Sequence, residues 1–328
     1  MRFALSEEQE AFRDTARRFL SERVHLREQI AMPGAHDASL WKEIVELGWL
    51  GLEDATFVEA ALLAEEAGRA LLPGPFTATL IAIEALRSAG ATLPEGACAV
   101  ALDSTDVRFV RNRLRGRIAA VPCAEAAVTL LVAATTPDGP AAFEVAASEA
   151  TIEPIESADL TRPAARVTFD GAKVRQRFDA LDRMIDRARV LTAADAIGGG
   201  AKALEMAVAY AKDRVQFDRP IGSFQAVKHR AADGWRALES ARVATWYAAW
   251  TIANDADDAS TAARAAKAMA GDAFARCAAD SIQIHGGIGF TWEHDAHLYY
   301  RRALADQATL GDATRQREAI ASNVFANA

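Results

Sequence analysis

With 328 residues, 51% of them hydrophobic and an ordinary 25% charged, the chain can bury a substantial core and form two or three packed domains. Its net charge of −8 argues against nucleic acid as the main partner, although a local basic groove remains compatible with it. Cys98, Cys123 and Cys277 are odd in number and far apart, with neither a disulfide framework nor zinc-like spacing, which fits a reducing compartment.

The start, through Glu10, turns acidic before any apolar run could serve as a signal, and no apolar stretch is long enough to cross a bilayer. The expectation is a cytoplasmic protein with no membrane partner. Ser6 can cap a first helix whose Phe12, Ala16, Phe19 and Leu20 share a face. A second helix is predicted from about Ser39, burying Trp41, Ile44, Val45 and Leu47 and stopping at Gly48. A third covers Ala60 to Ala70, and a fourth Thr77 to Ser88.

After Pro94 the pattern changes to short runs separated by Gly, Pro and Asp turns: 97–102, 107–110, 114–121, 128–133, 141–145 and 166–169. Such spacing predicts a small β-domain. Helical periods return at about Leu181. The helix near Asp182–Asp213 contains Gly198-Gly199-Gly200, which costs helix stability but permits close packing. The next, 225–254, places Trp235, Leu238, Trp246 and Trp250 where a buried seam could form; another, 261–285, carries Met269, Phe274, Cys277 and Ile282. The domains expected are 1–94 all-α, 95–180 β and 181–328 helical.

Two stretches carry the chemistry. Arg214 precedes Phe217 and a turn through Asp218-Arg-Pro-Ile-Gly222, where a guanidinium could grip a pyrophosphate with two parallel hydrogen bonds. Gln225, just past the turn, offers a donor and an acceptor to a nucleotide. In Gln283-Ile-His-Gly-Gly-Ile-Gly, Gly286 and Gly287 let backbone N–H groups approach a phosphate or a flavin ring. His285 reads as a core histidine bonded to backbone rather than a proton carrier. His294 and His297 lack a ligand set, so no metal is expected.

Tyr210–Gln225 and Gln283–Phe290, followed by Thr-Trp-Glu-His-Asp295, resemble the carboxy-terminal domain of flavin-dependent acyl-CoA dehydrogenases. Trp41–Leu52, Glu65–Leu72 and Asp159–Pro163 extend the resemblance over most of the chain. It implies a mainly α fold: an amino-terminal helical domain, a reduced central β-domain and a carboxy-terminal four-helix bundle. It also implies that Arg214, Phe217, Gln225, Gln283, His285 and the Gly286-Gly287 turn reach the FAD of a neighbouring subunit. Asp218, where the family has glycine, leaves the shape of that turn open.

Two family features are missing. The own-site flavin cradle, a Thr-Glu-Pro-x-x-Gly-Ser-Asp segment joined by a Trp-x-Thr strand, has no counterpart. Ser104–Arg113 is only a short link, and Ile118-Ala-Ala-Val121 stands where the tryptophan strand is expected. The family's glutamate base would fall on Leu310 or Ala188, neither of which accepts a proton. Asp312 is the one nearby alternative, on a different register with a shorter arm. Asp186 and Arg189 match an Asp-x-x-Arg pattern near the acyl-CoA site and read as remnants in a structural salt-bridging role.

The expectation is therefore a non-catalytic subunit that completes the FAD site of a full-length partner, as a two-plus-two heterotetramer acting on an acyl-CoA, with a bulky acyl group plausible by analogy. The alternatives are a self-sufficient homo-oligomer using Asp312 and a flavin-free structural homologue.

Overall fold

In the computed structural model the described residues are 4–51 and 56–326; Leu52, the end of one resembling stretch, lies outside them. In chain order come helices α1 (Glu7–Arg23), α2 (Leu26–Gln29), α3 (Ala38–Glu46), α4 (Phe57–Arg69) and α5 (Phe76–Ser88). Strands follow: β1 (Cys98–Ala101), β2 (Val107–Val110), β3 (Arg113–Pro122), β4 (Thr129–Thr136), β5 (Gly139–Ala146), β6 (Thr151–Pro154), β7 (Ala164–Lys173) and β8 (Gln176–Phe178). Then come α6 (Leu181–Asp213), a hairpin of β9 (Val215–Gln216) and β10 (Arg219–Pro220), α7 (Gln225–Ala253), α8 (Ala259–His285), α9 (Ala296–Ala308) and α10 (Ala313–Ala326).

These elements form two compact units. One comprises residues 4–22, 56–71 and 189–326; the other comprises 23–51 and 72–188. In the first, α1 begins with a reciprocal cap: Gln9 N donates to Ser6 Oγ at 3.2 Å and Ser6 N to Gln9 Oε1 at 3.1 Å. The α4 helix starts the same way, on Thr56 and Glu59.

The glycine triplet of α6 meets three different neighbours. A Cβ on Gly198 would lie 1.8 Å from the Glu65 carbonyl oxygen of α4, one on Gly199 would meet the Phe274 ring of α8, and one on Gly200 the Leu238 side chain of α7. Gly68 of α4 returns the contact, its Cβ position lying 1.9 Å from the Asp195 carbonyl oxygen. Close helix packing is thus the reason the triplet is there.

Several charged groups buried in this unit are matched. Glu65 accepts from Arg242 Nε at 3.1 Å and Trp246 Nε1 at 3.2 Å, Glu66 pairs with Arg17 at 2.7 Å, and Asp195 faces Arg302 at 3.3 Å with both side chains fully buried. Burial pushes the Glu65 carboxyl up despite the Arg242 charge.

The expected tryptophan seam of α7 does not form. Leu238 is buried, but Trp235 is 61% exposed in an open groove and Trp250 is also exposed. The helix turns its small residues inward instead: Gly234, Ala241, Thr245, Ala248 and Ala249 are buried, which allows α8 to approach closely.

In the second unit one sheet runs in the order β6-β7-β3-β2-β4-β5-β8, with β1 parallel to β4. Its core is built from Val107, Leu114, Leu130, Val132, Phe143, Val167 and Phe169. The strands not foreseen, β6 and β8, are the two ends of that order. Short, mostly exposed edge strands carry no apolar alternation to read. The expected buried face of α3 also needs correction: Leu40 and Ile44, one turn apart, are buried, while Val45 and Leu47 are about half exposed and Trp41 is partly exposed. A backbone bond from Cys98 to Thr79 Oγ1, 2.9 Å, joins β1 to α5.

Candidate functional site: exposed loops at the ends of three helices

A small apolar cluster gathers the two informative stretches in the first unit. Ala207 and Ala211 of α6 pack with Ile284 of α8, and Tyr210, Ile221 and Val227 close around them. Arg214 lies three residues beyond Ala211, Gln225 two before Val227, and Gln283 beside Ile284. The cluster therefore anchors the end of α6, the start of α7 and the end of α8, while Arg214, Gln225 and Gln283 are exposed. Gly222 has to be small here, since its Cβ would lie 2.9 Å from the Ala211 carbonyl oxygen.

The turn after Arg214 is a two-residue hairpin. Gln216 pairs with Arg219 and Val215 with Pro220, and Phe217 and Asp218 both have left-handed backbones, φ 53° and 61°. Two successive left-handed residues make the type I′ geometry that suits a tight hairpin. Aspartate tolerates that region, so the turn keeps its shape without glycine. Phe217 is 85% exposed at the tip, edge-on to Phe224, whose ring also carries the Arg219 guanidinium at 4.1 Å.

At the end of α8, Gly286 takes φ 63° and ψ −136°, a conformation that only glycine adopts readily. Nothing lies within 4 Å of a Cβ built on Gly286 or Gly287, so their backbone faces open space. A Cβ on Gly289, by contrast, would lie 2.8 Å from the Ile282 carbonyl oxygen.

His285 is a buried support beneath this loop. Its Nδ1 lies 2.7 Å from the Ser281 carbonyl oxygen, and the rings of Tyr210 and His294 flank it at 4.6 and 4.2 Å. Burial lowers its pKa, with the His294 charge acting in the same direction. A neutral ring with Nδ1–H donating to Ser281 follows. Two aromatic side chains that sequence reasoning left without a role, Phe290 and Trp292, stand 77% and 61% exposed just beyond the glycines. Their signal was an aromatic pair directly after a glycine turn.

A guanidinium, two carboxamides, the amino end of α7 and an open glycine backbone together suit an extended anionic dinucleotide. The apolar surface around them, including Val215, Phe217, Ile288 and Phe290, is large for a face left to water.

The positions assigned to a base are apolar and buried. Ala188 is 1% and Leu310 6% exposed. Leu310 has φ 59°, followed by Gly311 at 87°. Gln316 Nε2 donates to both of their carbonyls, at 2.6 and 3.2 Å, and the buried Lys267 ammonium donates to Asp306 O at 2.9 Å and Gly311 O at 3.4 Å. Asp312 is occupied otherwise: its Oδ1 accepts from Arg315 N at 2.8 Å, capping α10. Asp186 and Arg189 are both buried on α6.

In the second unit, residues 102–106 join β1 to β2, a link with no glycine. Ile118 and Val121 of β3 are buried and Ala119 and Ala120 exposed, so no indole is offered there. The three cysteines are free and buried, with burial pushing the Cys98 and Cys277 thiols up to about 12. Among the described residues there is no cluster of metal-ligating side chains, and no helix is long and apolar enough to cross a membrane.

Residues 6–92 match the acyl-CoA dehydrogenase amino-terminal domain and 178–325 the carboxy-terminal domain. The chain is 34% identical over 98% of its length, and all of the relative's, to the acyl-CoA dehydrogenase IpdE2 of Mycolicibacterium smegmatis. Among solved structures it resembles a Tcur3481-Tcur3483 steroid acyl-CoA dehydrogenase variant, with a TM-score of 0.90, 29% identity and 98% of each chain covered. The ChsE4-ChsE5 complex from Mycobacterium tuberculosis gives a TM-score of 0.90 at 26% identity, with 99% of each chain covered. The chain belongs to the acyl-CoA dehydrogenase family and has its fold: an amino-terminal helical domain, a central β-domain and carboxy-terminal helices. Members of this family are oxidoreductases that bind FAD.

Proposed function

We propose that this chain is a non-catalytic subunit of a heteromeric acyl-CoA dehydrogenase and completes the FAD site of a full-length partner. The observation that carries the reading is a contrast. Both base positions implied by the resemblance, Leu310 and Ala188, are buried and apolar, whereas Arg214, Gln225, Gln283, Gly286 and Gly287 are exposed. Arg214 would clamp the pyrophosphate of the partner's dinucleotide, assisted by the amino end of α7. Gln225 and Gln283 would bond its polar edges, the Gly286-Gly287 backbone would lie against it, and Phe217 would cover it. His285 would hold the glycine loop from beneath.

The chemistry FAD supplies when bound is acceptance of a hydride from the acyl β-carbon. The α-proton of the acyl-CoA would pass to a carboxylate of the partner. The heteromeric complexes among the structural neighbours support an unlike partner, with two copies of each subunit as the proposed assembly. A bulky substrate such as a steroid acyl-CoA rests on the first of those neighbours by analogy. A homo-oligomer using Asp312 fits less well, because that carboxylate is already capping α10.

The test is co-expression with a full-length acyl-CoA dehydrogenase subunit, followed by flavin quantification. The chain alone should retain little flavin and show no turnover. The complex should hold FAD, and Arg214→Ala in this chain should lower its retention without dissolving the complex. Stoichiometric FAD and turnover in the isolated chain would overturn the proposal.

A further inference from the structure

The outer face of the central sheet is densely cationic in an acidic protein. On β3, Leu114 and Ile118 point into the core, and Arg113, Arg115 and Arg117 alternate with them on the other side. Register places Arg108 of β2 directly opposite Arg115, and Lys173 of β7 opposite Arg113. Directly opposed residues of an antiparallel pair share a face, so these five cations form one surface. On this face Asp170 is paired to Arg115 at 2.6 Å, Glu153 of β6 is paired to Arg166 of β7 at 3.7 Å further along, and Glu149 accepts from the Lys173 backbone at the border. Among the described residues Arg108 and Arg117 have no carboxylate partner.

Three local features run against what folding alone would select. Like charges directly opposite each other destabilise a strand pair, yet Arg108 faces Arg115 and Arg113 faces Lys173. The β2–β3 turn places Arg111 at φ 51°, a left-handed position where glycine or asparagine is preferred. One of the two irregularities in the pairing of β3 with β7 comes at Gly171, φ 81°, where a Cβ would lie 3.2 Å from the Arg115 guanidinium. Departures from local consistency that all favour arginine point to function rather than folding.

We propose that this face docks an acidic surface of an unlike protein chain. Arg113 to Arg117 spans roughly 13 Å of extended strand, a row suited to successive carboxylates rather than to one small anion. Four of the five cations are arginine, whose planar fork binds carboxylates bidentately. The face carries no exposed aromatic ring on which a base could stack. A second copy meeting the face symmetrically would set like charge on like. The inference is independent of the flavin and base assignments above.

The experiment measures binding of a fluorescein-labelled oligo-glutamate peptide to the full chain by anisotropy, at low and rising salt. Oligothymidylate, polyphosphate, free FAD and phosphatidylserine vesicles serve as competing probes. The peptide should bind, weaken as salt rises, and lose about tenfold or more in affinity with Arg108→Glu, Arg115→Glu and Arg117→Glu together. Circular dichroism checks that the variant folds. The milder pair Arg108→Thr and Arg117→Thr should also weaken binding while leaving the melting temperature equal or higher. Peptide binding that is absent or unchanged in these variants, tighter binding of any other probe, or self-association at low salt that the reversal abolishes would each overturn the proposal.

Discussion

Gly198→Ala sets two opposing effects against each other, and the structure says which wins. In a helix interior alanine is favoured over glycine by about 0.8–1 kcal/mol, so propensity alone predicts a more stable protein. At position 198, however, the new Cβ would lie 1.8 Å from the Glu65 carbonyl oxygen, where ordinary contact begins at 3.4 Å, so α4 and α6 would have to part by about 1.6 Å. The obstacle is backbone, which cannot rotate away. Overpacking costs roughly 1–3 kcal/mol and more when no side chain can yield. Separation would also disturb Glu65, whose carboxylate is held by Arg242 and Trp246. The expected net loss is about 2 kcal/mol or more, read as a lower urea midpoint. Gly287→Ala is the control: its Cβ meets open space, so folding stability should hardly change. A Gly198→Ala protein about 1 kcal/mol more stable than the parent would refute the close helix crossing.

Lys267→Met should destabilise by about 2–4 kcal/mol in urea unfolding, because it strips a buried ammonium donor from the Asp306 carbonyl in the last turn of α9 and leaves the Gly311 carbonyl to Gln316 alone. Asp312→Ala should cost about 0.5–2 kcal/mol through the lost cap of α10, while Asp312→Asn, an equally good cap, should cost little. Loss of turnover in a complex carrying well-folded Asp312→Asn would restore Asp312 as a base. His285 has a pKa lowered in the folded state, so the unfolded chain takes up its proton first. Its contribution is therefore complete above about pH 6.5 and declines as pH falls below that. Stability measured from pH 8 to 5 should fall less steeply in His285→Gln than in the parent, and parallel curves would contradict this.

The helices carrying the site were legible because their apolar periods are long and their stops are marked by Gly, Pro and capping residues. The exposed faces were less so. Trp235 and Trp250 read as core by composition, yet α7 buries its small residues to let α8 come close. The edge strands β6 and β8 were unreadable because they are short and mostly exposed, with no apolar alternation, and β8 in addition pairs with the non-consecutive strand β5. The candidate dinucleotide loops were recognisable as two motifs, but nothing local said that one apolar cluster of Ala207, Ala211 and Ile284 would anchor both.

Residue identity alone determined that neither Leu310 nor Ala188 can take a proton and that a guanidinium, two carboxamides and adjacent glycines are present. Only the tertiary structure decided that Ala207 and Ala211 of α6 meet Ile284 of α8, and that alternate arginines of β3 share a face with Lys173 of β7. Chemical capability belongs to a side chain and can be read one position at a time. Availability depends on which partners folding brings within reach, and those are set by packing between segments far apart in the chain.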